Sequence, residues 1–250
     1  MFVDDPQVRL LGTRCRDMEA ATVEEGRSIT QIAAAPDRRP KQAVDLLCRT
    51  LDVSLSVVLL ILVLPLSALI AVAIRLDSPG PVLFRQRRFG RDQKPFVVTK
   101  FRTMHHGVGH ETHRSFVLGL IAGDHPERPD GGPKFKMVED ERVTRVGRLL
   151  RHSSLDELPQ LWNVLRGDMS LVGPRPPIAY EVEHYPPHWF ARFAVKPGLT
   201  GLWQVSGRSE LALEEMVRLD IEYSQRRSLW LNLWILVRTV PAVLRGRGAS

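Results

Sequence analysis

From Val53 to Ile74 the chain reads VSLSVVLLILVLPLSALIAVAI, 22 residues without a charged side chain. Charged residues make up 25% of the sequence, so about five or six would be expected in a stretch of that length. The run is long enough to cross a bilayer at about 1.5 Å per residue. It lies too far from the N-terminus, and runs too long, for the core of a signal peptide. A buried helix of a soluble protein usually carries a polar stripe, which weighs against that alternative.

Pro65 sits inside the run. It removes a backbone donor and crowds the preceding turn, so the sequence predicts a helix broken there. Neither piece, 53–64 or 66–74, spans a hydrocarbon core of about 30 Å alone. Basic residues flank both sides: Arg38, Arg39, Lys41 and Arg49 before, and Arg75, Arg85, Arg87, Arg88, Arg91 and Lys94 after. Basic flanks prefer the cytoplasmic face. A helix that enters, turns at Pro65 and returns satisfies both, whereas a kinked spanning helix strands one of them. The spanning form stays open, because proline is tolerated in spanning helices.

Three regions follow from the patterning. Residues 1–40 read as a flexible N-terminal tail, with room for a short helix near 17–34. Residues 41–79 form the membrane anchor, and residues 80–250 a water-exposed domain. Within that domain, Val82 to Gln86 and Phe96 to Lys100 alternate around GRDQKP, a hairpin signature. Residues 105–134 are rich in Gly, His, Pro and charge and read as a loop. Helical spacing covers 140–150, 156–165 and 209–227. The ending SLWLNLWILVRTVPAVLRGRG suits either a helix lying in the membrane interface or one packed on the core. The fold class expected is α+β, mostly helical with a small hairpin.

The stretch RHSSLDELPQLWNVLRGDMSLVGPRP carries the strongest chemical signal. Leu155, Leu158, Leu161, Trp162 and Leu165 recur at helical spacing and predict a buried face. Pro159 is expected in the first turn, which puts Asp156 and Glu157 at a helix N-terminus. Ser154-x-x-Glu157 matches a capping box, so a capping role is one reading of the acids. The other reading starts from Arg151 and Arg175. Two guanidiniums and a helix N-terminus make a cradle for phosphate, and a carboxylate among them should stay ionised, since opposite charge and the helix dipole both lower its pKa. Such a carboxylate can hold Mg²⁺ or attack phosphorus. Lys100 and Arg102 in KFRTM and Arg208 in QVSGRS add further cations.

Other chemistries are weaker. Cys15 and Cys48 have no metal-ligand spacing and build no disulfide framework, which points to a reducing compartment. His105, His106, His110 and His113 are spaced to allow a metal but lack a flanking scaffold. There is no P-loop, no dinucleotide fingerprint and no nucleophile elbow. The net charge of +7 favours phosphate-bearing partners. No nucleic-acid-binding module is readable, so nucleic acid is not among the expected partners.

Three long stretches, RTLDVSLSVVLLILVLPLSALIAVAIRLDSPGPVLFRQRRFGRDQKPFVVTKFRTM, VGRLLRHSSLDELPQLWNVLRGDMSLVGPRP and KPGLTGLWQVSGRS, resemble in this order the bacterial sugar transferases. These are the monotopic polyprenyl-phosphate phosphoglycosyl transferases that start exopolysaccharide and O-antigen assembly. The resemblance covers roughly residues 41–250. It implies that a UDP-sugar gives its sugar 1-phosphate to undecaprenyl phosphate with release of UMP. It implies that Asp156 is the nucleophile, forms a phosphosugar intermediate in a ping-pong scheme and contacts Mg²⁺. Glu157 is the second member of the acidic pair, and Arg151, Arg175 and Arg208 fall on phosphate-binding positions. The family's re-entrant helix, broken at a proline, falls on 53–74 with Pro65. The place implied is the bacterial inner membrane, with the catalytic domain facing the cytoplasm among membrane lipids; a homo-oligomer is compatible with it. Larger members carry spanning helices and another domain ahead of this core, so this chain reads as a short form, and residues 105–134 as a lid or specificity element.

Overall fold

The computed structural model describes residues 38–107, 111–121, 140–207 and 211–244. The chain divides into two units, Met1–Asp45 and Leu46–Ser250. Of the first, only the start of helix α1 lies within the described residues; the rest of the expected tail lies outside them.

Helix α1 (Arg38–Asp77) is 40 residues long and continues through Pro65. The expected division into two pieces at Pro65 is thus corrected. The ring costs the helix one backbone hydrogen bond, and the apolar turns on either side keep theirs, so helical backbone persists. Within α1, Gln42–Asp77 is long and apolar enough to cross a membrane, and only 11% of its most apolar window is buried. A core helix of a soluble protein would be mostly covered. What is buried forms one narrow line: Cys48, Asp52 and Ser56, then Ile70 and Ile74. Asp52 Oδ1 accepts hydrogen bonds from Ser170 Oγ (3.0 Å) and the Leu171 N–H (2.9 Å). Val53, Val58, Leu62, Leu64 and Leu69 on the other sides are exposed.

Strands β1 (Leu83–Phe89) and β2 (Pro95–Phe101) pair antiparallel, Gln86 opposite Val98, as the alternation predicts. Asp92 and Gln93 take left-handed backbone in the connection. The loop expected at 105–134 contains helix α2 (Glu111–Ile121) instead. Phe116, Val117, Leu120 and Ile121 recur at helical spacing and pack with Val182, Tyr185 and Val217, which outweighs the polar composition around them.

Helix α3 (Arg145–Ser153) is followed by a single 3₁₀ turn, Leu155–Glu157, and by α4 (Gln160–Arg166). Then come β3 (Ser170–Val172), α5 (Ala179–Val182), a 3₁₀ stretch Pro187–Ala194 and β4 (Gly198–Thr200). Helices α6 (Leu202–Ser206), α7 (Leu213–Arg226) and α8 (Leu229–Leu244) complete the described chain. Strands β3 and β4 form a second, parallel sheet, Val172 opposite Thr200. The fold is α+β and mostly helical.

The main core joins Val98 of β2, Val164 of α4, Val172 of β3, Tyr223 of α7 and Ile235 of α8. Asn163 of α4 completes the free edge of β2. Its Nδ2 donates to the Val97 carbonyl (2.7 Å) and its Oδ1 accepts from the Thr99 N–H (3.2 Å). One face of the C-terminal helix packs on the core, with Asn232 and Ile235 buried, while Trp230, Val237 and Val240 are exposed. Trp162 departs from the expected buried face of α4 and is 58% exposed, because Leu161 and Val164 already fill the side that meets the core.

Candidate functional site

Helix α3 begins at Thr144, whose Oγ1 accepts from the Gly147 N–H (3.0 Å). A Cβ at Gly147 would lie 2.0 Å from the Thr103 carbonyl, so the helix rests directly on the backbone leaving β2. Arg151, one turn further on, donates from Nε to Thr103 Oγ1 (2.9 Å). The helix ends at Ser154, in left-handed backbone at φ 57°. The Ser154 side chain makes no cap hydrogen bond, so the capping box does not form. A cap needs extended backbone at its first residue, and Ser154 is instead the residue that stops α3. Pro159 likewise precedes the first residue of α4 rather than lying inside it. The acidic pair therefore sits on a turn of its own between two helices. Leu155 and Leu158 anchor that turn against Ile70 and Ile74 of α1.

Glu157 Oε1 lies 2.6 Å from Lys100 Nζ of β2. Asp156 is half-buried, and burial pushes its carboxyl up to about 6. Lys100 and Arg151 pull it down and Glu157 pushes it up, and neither balances desolvation. The expectation that surrounding cations and a helix dipole lower it is thus corrected: the turn offers no helix N-terminus, and burial wins. The group is still ionised at neutral pH.

Arg175 stands in the loop Gly173–Pro177, which is fixed from three sides. The Gly198 N–H donates to the Pro174 carbonyl (2.8 Å), the Phe89 N–H to the Pro177 carbonyl (3.0 Å), and Arg192 Nη2 to the Arg175 carbonyl (3.0 Å). Arg175 lines a small cavity with Glu181, Tyr185, Arg192 and Asp220. Arg192 and Asp220 form a buried ion pair, and Arg192 Nη1 donates to the Tyr185 hydroxyl (2.8 Å). Burial pushes the Asp220 carboxyl up to about 6 despite Arg192.

Of the cations expected at the site, Lys100 and Arg151 flank the acidic pair, and Arg175 stands on the neighbouring loop. Arg102 goes elsewhere. Its Nη1 donates to the Pro79 carbonyl (2.6 Å) and its Nη2 to the Ser78 carbonyl (2.7 Å) and Ser78 Oγ (3.0 Å), closing the C-terminal end of α1. Arg208 lies outside the described residues, as do His110 and the side chain of His113; His105 and His106 are exposed. Among the described residues no three His, Cys, Asp or Glu side chains gather to hold a metal. Arg88 of β1 is a charged residue that the alternation reading passed over. It is buried beside Arg175, with Nη1 donating to the Pro176 carbonyl (2.7 Å). The repeat of three arginines in RQRR hides which one turns inward.

Residues 43–246 match the bacterial sugar transferase family. The chain is 46% identical over 215 residues to a UDP-glucose:undecaprenyl-phosphate glucose-1-phosphate transferase of Caulobacter vibrioides, covering 82% of this chain and 72% of that one. It is 40% identical over 209 residues to an undecaprenyl-phosphate galactose phosphotransferase of Salmonella typhimurium, covering 84% of this chain but 43% of the relative. It is 38% identical over 205 residues to the exopolysaccharide production protein ExoY of Rhizobium meliloti, covering 80% and 87%.

Proposed function

The chain belongs to the bacterial sugar transferase family, and on that premise we propose that it moves a sugar 1-phosphate from a UDP-sugar to undecaprenyl phosphate, the first step of a surface glycan. The observation that carries the reading is Asp156. It is a half-buried carboxylate beside Lys100 and Arg151, on a turn where it serves no helix as a cap. In the first half-reaction an Asp156 oxygen attacks the sugar-bearing phosphorus, the bridging P–O bond breaks, and UMP carries the electron pair away. In the second, the lipid phosphate attacks that phosphorus and restores Asp156. Lys100 holds Glu157 and stabilises Asp156 as a carboxylate; Arg151 and Arg175 are placed to neutralise phosphate charge.

A hard divalent cation suits Asp156, whose carboxylate is desolvated and has a second carboxylate on the same turn. Asp156 would hold Mg²⁺, which would supply positive charge to offset the repulsion between the carboxylate and an incoming phosphate.

The setting we infer is the inner membrane, with the domain on the cytoplasmic side. Both flanks of the apolar run support it, since Asp52 binds Ser170 and Leu171 while Ile70 and Ile74 pack on Leu150, all in the same unit. A helix crossing the bilayer would carry its two flanks to opposite faces. Entry and return at one face, with the continuous helix α1 bent at Pro65, keeps the acidic turn at headgroup depth, where a lipid phosphate and a water-soluble nucleotide meet.

The test uses the full chain in lipid nanodiscs with UDP-glucose, UDP-galactose and other UDP-sugars, without acceptor. The expected result is a burst of UMP no larger than the enzyme concentration, with one hexose phosphate added to the peptide bearing Asp156. Release of UMP with no added mass on the protein would overturn the covalent step.

A further inference from the structure

Strand β1 buries the wrong residue for a stabilising hairpin. Leu83 and Phe84 are exposed, while Arg88 is 8% exposed. Among the described residues the Arg88 guanidinium donates to neutral acceptors. Nε and Nη2 donate to Gln86 Oε1 (3.1 and 2.7 Å), and Nη1 donates to the Pro176 carbonyl. Among the described residues no carboxylate pairs with it directly, although a buried charge is costly unless paired. Glu181, the nearest acid by its influence on Arg88, has Oε2 turned to the Ile178 N–H (3.2 Å). Burial, aided by repulsion from the neighbouring Arg175, lowers the Arg88 guanidinium to about 10, and Glu181, Tyr180 and Glu157 offset this only in part.

The described charges around the site include Lys100, Arg88, Arg151, Arg175 and Arg192 on one side and Asp156, Glu157, Glu181 and Asp220 on the other. Lys100 is taken by Glu157 and Arg192 by Asp220. Among the described residues neither Arg88 nor Arg175 is ion-paired with a carboxylate. Three of the five N–H groups of Arg88 are used within the protein, which leaves two of its fork for an anion. The spacing of the two guanidiniums is set by backbone: Arg88 ties the residue after Arg175, the Phe89 N–H ties the one after that, and Arg192 ties the Arg175 carbonyl.

We propose that Arg88 and Arg175 form a two-guanidinium clamp for a phosphate monoester, the group that leaves as a nucleoside monophosphate and is then replaced by the lipid phosphate. This deepens the function proposed above and rests on it. When the bridging P–O bond breaks, the new charge appears on the departing phosphate, where the clamp offsets it. Because the second half-reaction runs through the same position in reverse order, the clamp serves the incoming lipid phosphate as well. Arg151, beside Asp156, is left for the phosphoryl group that is transferred.

The experiment measures UMP and uridine affinity by calorimetry on the full chain in nanodiscs, together with the KM for undecaprenyl phosphate. Arg88→Met should weaken UMP binding and raise the lipid phosphate KM together, each about ten- to a hundredfold, the usual cost of losing hydrogen bonds to a charged group. Uridine, which has no phosphate, should bind as before. Arg88→Lys, which keeps the charge but not the fork, should fall between. A merely structural Arg88 would lower the melting temperature and leave the ratio of UMP to uridine affinity unchanged, and that result overturns the clamp. If Arg88→Met does not fold, Arg88→Lys and Gln86→Met decide, and wild-type UMP affinity in both overturns it. Absence of any UMP burst in the wild type would instead strike the proposed function.

Discussion

Lys100 Nζ sits 2.6 Å from Glu157 Oε1, so the second strand of the hairpin holds the acidic turn across 57 residues of chain. The same ammonium is the strongest of the influences that favour the ionised form of Asp156. One side chain therefore fixes the geometry of the turn and the charge of its neighbour.

Removing that side chain separates the two effects. Lys100→Met is expected to slow the UMP burst roughly a hundredfold, in the range found when one preorganised electrostatic group is lost. It should also move the acid limb of the burst rate to higher pH, because Asp156 loses the cation that holds its carboxyl down. Burst rates of both proteins measured across pH 4–9 check this; an unmoved limb would detach Lys100 from Asp156.

Asp156→Asn is expected to abolish the burst while the protein stays in the membrane. In the wild type the burst rate should fall as pH drops through about 6, where the carboxyl takes up a proton. Stability runs the other way. The folded chain holds this carboxyl above its ordinary value, so the fold favours the protonated form, and that advantage disappears as pH rises through about 6. Asp156→Asn should therefore melt above the wild type at pH 8, with the gap closing towards pH 4. Thermal unfolding at the two pH values decides the sign.

Arg102→Ala is expected to act on stability rather than on substrate. It leaves the Pro79 and Ser78 carbonyls without their donor at the end of α1, at a cost of about 1–3 kcal/mol. The donor KM of the folded fraction should match the wild type. A raised donor KM with unchanged stability would return Arg102 to the phosphate site.

Placement of both flanks of α1 on one side is open to chemical labelling. Leu47 and Leu83 are both exposed on either side of the apolar run. Single cysteines at these positions, with the native cysteines changed to serine, should resist an impermeant maleimide in intact spheroplasts and react once the membrane is opened. Labelling of one from outside would mean that α1 crosses the bilayer.

Gly147 makes the support of the site visible. Gly147→Ala would drive a Cβ to within 2.0 Å of the Thr103 carbonyl, backbone against backbone, and push α3 away from β2. Overpacking of this kind typically costs about 1–3 kcal/mol. Arg151 rides on that helix, so the burst rate should fall along with the melting temperature.

Much of this was legible in the sequence because it depends on short-range pattern. The uncharged run gave α1, the alternation around GRDQKP gave β1 and β2, and Asp156 with Glu157 stood out next to Arg151 and Arg175. The capping box was a false lead: Ser154-x-x-Glu157 has the right letters, but left-handed backbone at Ser154 removes the geometry that a cap requires. The 105–134 region misled for a different reason. Its polar composition masked the four apolar positions that hold α2 against Val182 and Tyr185.

Residue order alone settled which segments are apolar, which turn is acidic and where cations are concentrated, since those properties are carried by each side chain and its near neighbours. Only the folded chain decided which cations serve the site. Arg102 and Lys100 are two residues apart on β2 and its exit, yet one closes α1 and the other grips Glu157, because what meets each is brought from 24 residues before and 57 residues after. Burial decided the rest: it raised Asp156, and it set Arg88 beside Arg175, outcomes of desolvation and long-range packing that no local spacing encodes.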